Sequence, residues 1–170
     1  MRKKHSHEME EAFIAFIRAN RQRFYFLAYS YTKNEQDALD IVQDSIQKAM
    51  QALHRLEHFT YIKSWFYKIV VRTAIDFLRK NKRLQVTDDA QLEHFIPAYE
   101  DDYTDFDLTK ALDALPLKYR EVIILHYFED LTLADVAIVL NVNINTIKSR
   151  LYRALQLLKI DLQEEETTDE

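Results

Sequence analysis

LTLADVAIVLNVNINTIKSRLYRAL, residues 131–155, holds two amphipathic runs separated by a few polar residues. The first run carries one charge, Asp135, and the second carries Lys148, Arg150 and Arg153. Thr132 and Asp135 stand at the spacing of a capping box, in which side-chain oxygens satisfy free N–H groups of a first helical turn, so a helix starts there. Leu133, Val136, Ala137 and Leu140 then face one side. Asn141 falls where a short turn demands a left-handed residue, a conformation Asn tolerates best after Gly. Asn143 is placed to cap the next helix, whose Ile147, Leu151, Ala154, Leu155 and Leu158 repeat as one apolar stripe. The spacing predicts two short helices meeting at an angle, the basic one displayed outward.

The displayed face of that helix is Thr146, Lys148, Ser149, Tyr152, Arg153 and Gln156. Short hydrogen-bonding groups beside long cations, near a helix N-terminus, suit the base edges and phosphates of a DNA major groove. An ordinary solvated face has much the same composition, so this segment by itself leaves both readings open.

Outward from this stretch the pattern stays helical. A first helix over about Ala12–Tyr31 has Phe13, Phe16, Ile17, Phe24, Leu27, Ala28 and Tyr31 on one broad face. Asn34 reads as the N-cap of a second, with Asp37 at its N3 position and Ala38, Ile41, Val42, Ile46, Ala49, Met50 and Leu53 inward. A third runs from near Tyr61 to about Lys82, its core side being Ile62, Trp65, Phe66, Ile69, Thr73 and Phe77. Further on, LTKALDAL is a short helix that Pro116 interrupts, and LKYREVIILHYF another, with Val122, Ile123 and Phe128 inward.

The chain of 170 residues has no Gly, 2 Pro and no Cys. Glycine-rich phosphate loops and nucleophile elbows are therefore missing, and an all-α chain tolerates the absence best. Without thiols there is neither a disulfide nor a thiolate zinc site, which fits a reducing cytoplasm. No stretch approaches the roughly 18 apolar residues of a membrane span, and MRKKHSHEMEE has no apolar run behind it, so secretion is not expected. The six histidines show no paired-ligand spacing. No catalytic residue, metal or cofactor is expected, and the chain reads as a binding protein rather than an enzyme.

The net charge of −5 conceals a partition. Residues 84–107 hold eight acids and residues 160–170 six more, half of the 28, and all 23 basic residues lie elsewhere. Two basic lobes are joined by an acidic strap read as a flexible linker, and an acidic tail follows.

The first lobe has two surfaces of its own. In YIKSWFYKIVVRTAIDFLRKNKR, aromatic rings interleave with cations on more than one face, and Tyr61, Trp65, Phe66 and Tyr67 are too many rings for one small bundle to bury. Rings beside cations bind single-stranded nucleic acid, because bases stack on the rings while the cations follow the phosphates. In the preceding helix Asp37, Asp40, Gln43, Asp44 and Gln47 form an acidic-amide stripe that would repel DNA, so any partner there is protein.

DALDIVQDSIQKAMQAL, YIKSWFYKIVVRTAIDFLRK and LDALPLKYREVIILHYFEDLTLADVAIVLNVNINTIKSRLYRALQLL, in this order, resemble regions 2.2, 2.3–2.4 and 4 of the extracytoplasmic-function (ECF) sigma factors of bacterial RNA polymerase. The resemblance implies two small helical domains: region 2 over 1–83 and a region 4 helix-turn-helix over 108–159, with linker 84–107 and tail 160–170. It implies that Asp40, Gln43 and Asp44 dock on the clamp helices of core polymerase, with a second contact at its flap. Phe59, Tyr61, Lys63, Ser64, Trp65, Tyr67, Lys68 and Arg72 would hold the melted strand of the −10 element. Thr146, Lys148, Ser149, Tyr152 and Arg153 would read the −35 element as duplex. Two positions depart from the family pattern: Thr73 stands where many members carry Asn, and Asn141 replaces the usual Gly of the turn. The family also implies a chain that is monomeric when free, a membrane-anchored anti-sigma factor and an envelope-stress response. A stand-alone dimeric helix-turn-helix regulator is the alternative, and it leaves the aromatic–basic helix and the acidic stripe without a task.

Overall fold

The structure, a computed structural model, describes residues 2–85 and 103–168, with side-chain surroundings for 6–82 and 108–159. Among them there are helices and turns and no strand. The chain divides into two compact units, Met1–Phe95 and Ile96–Glu170.

The first unit is a bundle of α1 (Arg2–Thr32), α2 (Glu35–Ala52) and α3 (Ile62–Gln85), each packed on the other two, with 3₁₀ turns at Leu53–Arg55 and Phe59–Tyr61. The Asn34 side chain caps α2, accepting from the Asp37 N–H at 2.9 Å. Phe66 of α3 sits at the centre, its ring edge-on to Phe24 at 4.7 Å and to Phe13 at 5.6 Å between centroids. Such contacts add to the apolar area that the rings bury. Because α3 has a neighbour on two sides, its buried residues (Ile62, Phe66, Tyr67, Val70, Val71, Thr73 and Ala74) span about half its circumference at 100° per residue. The apolar periodicity indicates a narrower stripe and misses Tyr67, Val70, Val71 and Ala74. In α2 the expected core residue Met50 is 39% exposed, and Ser45 is buried instead, donating to the Ile41 carbonyl at 2.6 Å.

The second unit comprises α4 (Tyr103–Ala114), α5 (Leu117–Ile123), α6 (Leu133–Leu140) and α7 (Ile144–Thr168), with α4, α5 and α6 all packed on α7. Its core gathers Ala111, Leu112, Leu115, Ile123, Ala154 and Leu158. Pro116 stands at the N-cap position just before α5, where its missing N–H costs nothing. The buried Arg120 donates from Nη1 to the carbonyls of Asp113 and Leu115, 3.2 Å each, and so satisfies the end of α4.

Several expectations are corrected here. At its end α5 opens into a wide turn, Ile124–Phe128, closed by the Glu129 N–H on the Ile124 carbonyl at 3.0 Å. The added residue shifts the helical phase, and Phe128, expected inward, is 37% exposed. Leu155, placed on the α7 stripe by its spacing, is 42% exposed, and on α6 Val139 is buried at 2%. Helix α4 begins at Tyr103 and α3 ends at Gln85, so regular structure enters the 84–107 linker from both sides, and residues 86–102 lie outside the described residues. The acidic tail, read as separate, continues α7 to Thr168; its Leu, Gln and Glu residues are strong helix formers.

The chain has no glycine, and among the described residues left-handed backbone falls to Lys33 (φ 52°), Asp130 (φ 54°) and Asn141 (φ 54°).

Candidate nucleic-acid interface

In the second unit, the α6–α7 corner is fixed by local hydrogen bonds. Thr132 accepts from the Asp135 N–H at 3.1 Å and its hydroxyl donates to the Asp135 carboxylate at 2.9 Å, which holds the start of α6. Past the end of α6, Asn141 adopts the left-handed conformation. The Val142 N–H reaches back to the Ala137 carbonyl at 3.0 Å, and the Asn141 N–H reaches Ile138 at 3.3 Å. This is the paired closure of a Schellman motif. Asn143 Oδ1 then accepts from the Asn145 N–H at 2.8 Å and anchors α7.

With Ile147, Ala154 and Leu158 buried, α7 turns the opposite side to solvent. All five residues of the expected DNA-reading set, Thr146, Lys148, Ser149, Tyr152 and Arg153, are exposed there, Tyr152 at 67%. The Ser149 hydroxyl donates to the Asn145 carbonyl at 3.0 Å, leaving its oxygen as an outward acceptor. Arg150, the third cation of the opening stretch, turns away from this face toward Glu121.

In the first unit the structure sorts the aromatic–basic residues. Tyr61, Trp65, Lys68 and Arg72 recur at i, i+4, i+7 and i+11 and form one ridge on the side opposite the buried Val70 of α3. Tyr61 is 61% exposed and Phe59, in the preceding turn, 36%. Trp65 and Lys68 are half-buried, Trp65 resting edge-on against Phe13 at 6.3 Å, and Arg72 is exposed. Ser64, also half-buried, donates to the Tyr61 carbonyl at 3.4 Å.

One of the expected strand-holding residues is corrected, and another stands apart from the ridge. Tyr67 is 1% exposed, its ring edge-on to Phe24 at 5.4 Å, so no base can stack on it while the bundle is intact. Lys63 is half-buried and lies on the same side of α3 as Phe66 and Val70, away from the ridge. Thr73 is buried at 4% and accepts from Lys48 Nζ of α2 at 3.4 Å.

On α2, Asp40 and Gln43 are exposed and Asp44 is half-buried. Asp40 accepts from Gln36 at 3.0 Å and Asp44 pairs with Lys48 at 2.9 Å. Burial first, and then the charge of Asp40, push the Asp37 carboxyl above the usual carboxylate range. Lys48 adds a cation to this acidic stripe, four residues past Asp44, the spacing at which ion pairs form on a helix. Among the described residues no cluster of His, Cys, Asp or Glu is arranged to hold a metal ion, and no helix is long and apolar enough to cross a membrane.

The family model for Sigma-70 region 2 matches residues 16–84, and that for Sigma-70, region 4, residues 105–158. The chain is 52% identical over 153 residues to the RNA polymerase sigma factor SigV of Bacillus subtilis (strain 168), an alignment that covers 90% of this chain and 92% of that protein. The chain belongs to the ECF sigma factors. The ECF RNA polymerase sigma factor SigM of the same organism is 29% identical, over 79% of this chain and 85% of its own length. Among solved structures, the sigma factor RpoE in complex with the anti-sigma factor NepR from Bartonella quintana superposes with a TM-score of 0.78. The two are 28% identical, covering 90% of this chain and 98% of that one. As an ECF sigma factor the chain directs core polymerase to promoters, and it is a recognition subunit rather than an enzyme. The stand-alone dimeric regulator is set aside, since a matched region 2 has no place in it.

Proposed function

We propose that this sigma factor divides promoter recognition between two outward faces of different chemistry. Residues 1–83 act as region 2: Phe59, Tyr61, Lys63, Ser64, Trp65, Lys68 and Arg72 take the unstacked −10 strand, while Asp40, Gln43 and Asp44 meet the polymerase clamp. Residues 108–159 act as region 4: Thr146, Lys148, Ser149, Tyr152 and Arg153 read the −35 duplex, and the same unit contacts the flap. The observation that carries this reading is the Tyr61–Trp65–Lys68–Arg72 ridge, which sets rings and cations in one line outside the bundle core. Extruding a base costs a few kcal/mol and stacking returns roughly 1–3 kcal/mol per base, so two or three captured bases suffice for local melting.

An anti-sigma factor is the natural regulator, as the RpoE–NepR complex illustrates for a relative. A membrane-anchored one would hold the chain at the inner face of the membrane until an envelope-stress signal releases it. Fractionation of cells with and without such a partner tests that location.

Run-off transcription with core polymerase, with and without the chain, tests the assignment of the faces. Arg153→Ala is expected to lose about 1–3 kcal/mol of promoter affinity if it contacts a base, and a template opened beforehand around −10 should not restore initiation. Full activity of Arg153→Ala on a −35-dependent promoter would remove α7 from that role.

A further inference from the structure

Of the three cations in the first three turns of α7, Lys148, Arg150 and Arg153, Arg150 is the one that the outward face does not use. Ile147 is fully buried, and at about 100° per residue Arg150 lies roughly 60° from it around the helix, against about 100° for Lys148 and 120° for Arg153. The Arg150 side chain is 26% exposed, and its Nη1 lies 3.7 Å from Oε1 of Glu121, whose side chain is 10% exposed. Glu121 belongs to α5, which packs directly on α7. A carboxylate withdrawn that far from water requires charge compensation, and salt screens a pair in such a setting much less than it screens exposed charges.

We infer that Arg150 is a positioning residue for −35 recognition: it stays off the DNA, and its ion pair with Glu121 sets the rotation of α7. The inference rests on the reading of the α7 outward face given above. Ile147, Ala154 and Leu158 hold α7 by apolar contacts, which are non-directional and allow a helix to roll. A charged pair on the flank of that stripe, within one turn of Lys148, Ser149 and Arg153, opposes the roll. Side-chain tips lie about 5–6 Å from a helix axis, so a roll of about 20° moves them by about 2 Å, more than a hydrogen bond to a base edge tolerates.

The test uses holoenzyme assembled from core polymerase and the full chain. Binding is measured on a promoter with its −35 element intact and on one with that element altered, each over a series of salt concentrations. Glu121→Gln keeps the shape and removes the charge, and it is expected to lower the intact-to-altered affinity ratio several-fold. Arg150→Ala should lower the ratio similarly, and the double variant no further, because both changes break one pair. Arg150→Lys should retain most of the ratio. In every case the slope of log affinity against log salt should stay at the parent value. A slope reduced by about one for Arg150→Ala would mean a lost phosphate contact and overturn the inference. So would a parent-like ratio for Glu121→Gln, or losses equal on both templates, since a merely structural defect lowers the active fraction without changing selectivity. Arg153→Ala is the control: if it also leaves the ratio unchanged, the −35 reading fails and the positioning role falls with it.

Discussion

Tyr61 and Tyr67 are six positions apart and have opposite fates, 61% and 1% exposed. Tyr61→Ala is therefore expected to slow open-complex formation by up to the roughly 1–3 kcal/mol of one stacked base, with a pre-melted template restoring most activity. Permanganate reactivity of thymines near −10 follows the melting, and parent-like kinetics would remove Tyr61 from strand capture. Tyr67→Ala instead opens a cavity beside Phe24, at a cost of about 3–5 kcal/mol typical of a buried ring. It should lower the thermal midpoint and activity on both templates, pre-melted or not. The sequence distinguishes these residues poorly. Four rings within Tyr61–Tyr67 exceed what one helix stripe buries, but periodicity does not reveal that α3 is flanked on two sides.

At the scale of elements, capping chemistry was the most legible feature. Asn34, Thr132, Asn141 and Asn143 each do what their spacing announces, because each acts on backbone within a few residues of itself. The wide turn Ile124–Phe128 was not legible, since its cause is tertiary: Ile124 and Leu125 are both buried, and the added residue turns Phe128 outward. The corner at Asn141 carries a prediction of its own. Asn141→Ala should destabilise the second unit by about 1 kcal/mol, the usual cost of a Cβ in left-handed backbone where no polar side chain assists. Asn141→Gly should match or exceed the parent. Thermal melts of the two variants decide it, and equal midpoints for Ala and Gly would show that the corner tolerates a Cβ without cost.

For the whole molecule, partition of charge mattered more than its total. The acids of 84–107 and 160–170 hide a basic remainder, and the ordered pair of lobes carried the family resemblance that the region 2 and region 4 matches bear out. One acidic surface lies inside a basic lobe, on α2, and its position sets the last test. Replacing both Asp40 and Asp44 by Lys is expected to weaken binding to core polymerase while leaving helicity unchanged. The Asp44–Lys48 pair that is lost is about half exposed, and exposed pairs of this spacing contribute only about 0.3–0.5 kcal/mol. Undiminished retention in a core-polymerase pull-down would reduce the stripe to a solvated face.

The left-handed corners at Lys33, Asp130 and Asn141 bear on how long the protein survives in a cell. A strain of about 1 kcal/mol multiplies the unfolded fraction roughly fivefold, and proteases draw on that fraction. Lys33 has no short polar side chain to ease the strain, so its corner weighs most, and it lies in the unit that carries the α2 stripe and the α3 ridge. The supply of an initiation factor is thereby tied to backbone geometry at positions outside the proposed DNA and polymerase contacts. A glycine at the Lys33 corner is therefore expected to lower the fraction open to proteases, read as slower digestion by an added protease, without altering which promoters the protein chooses.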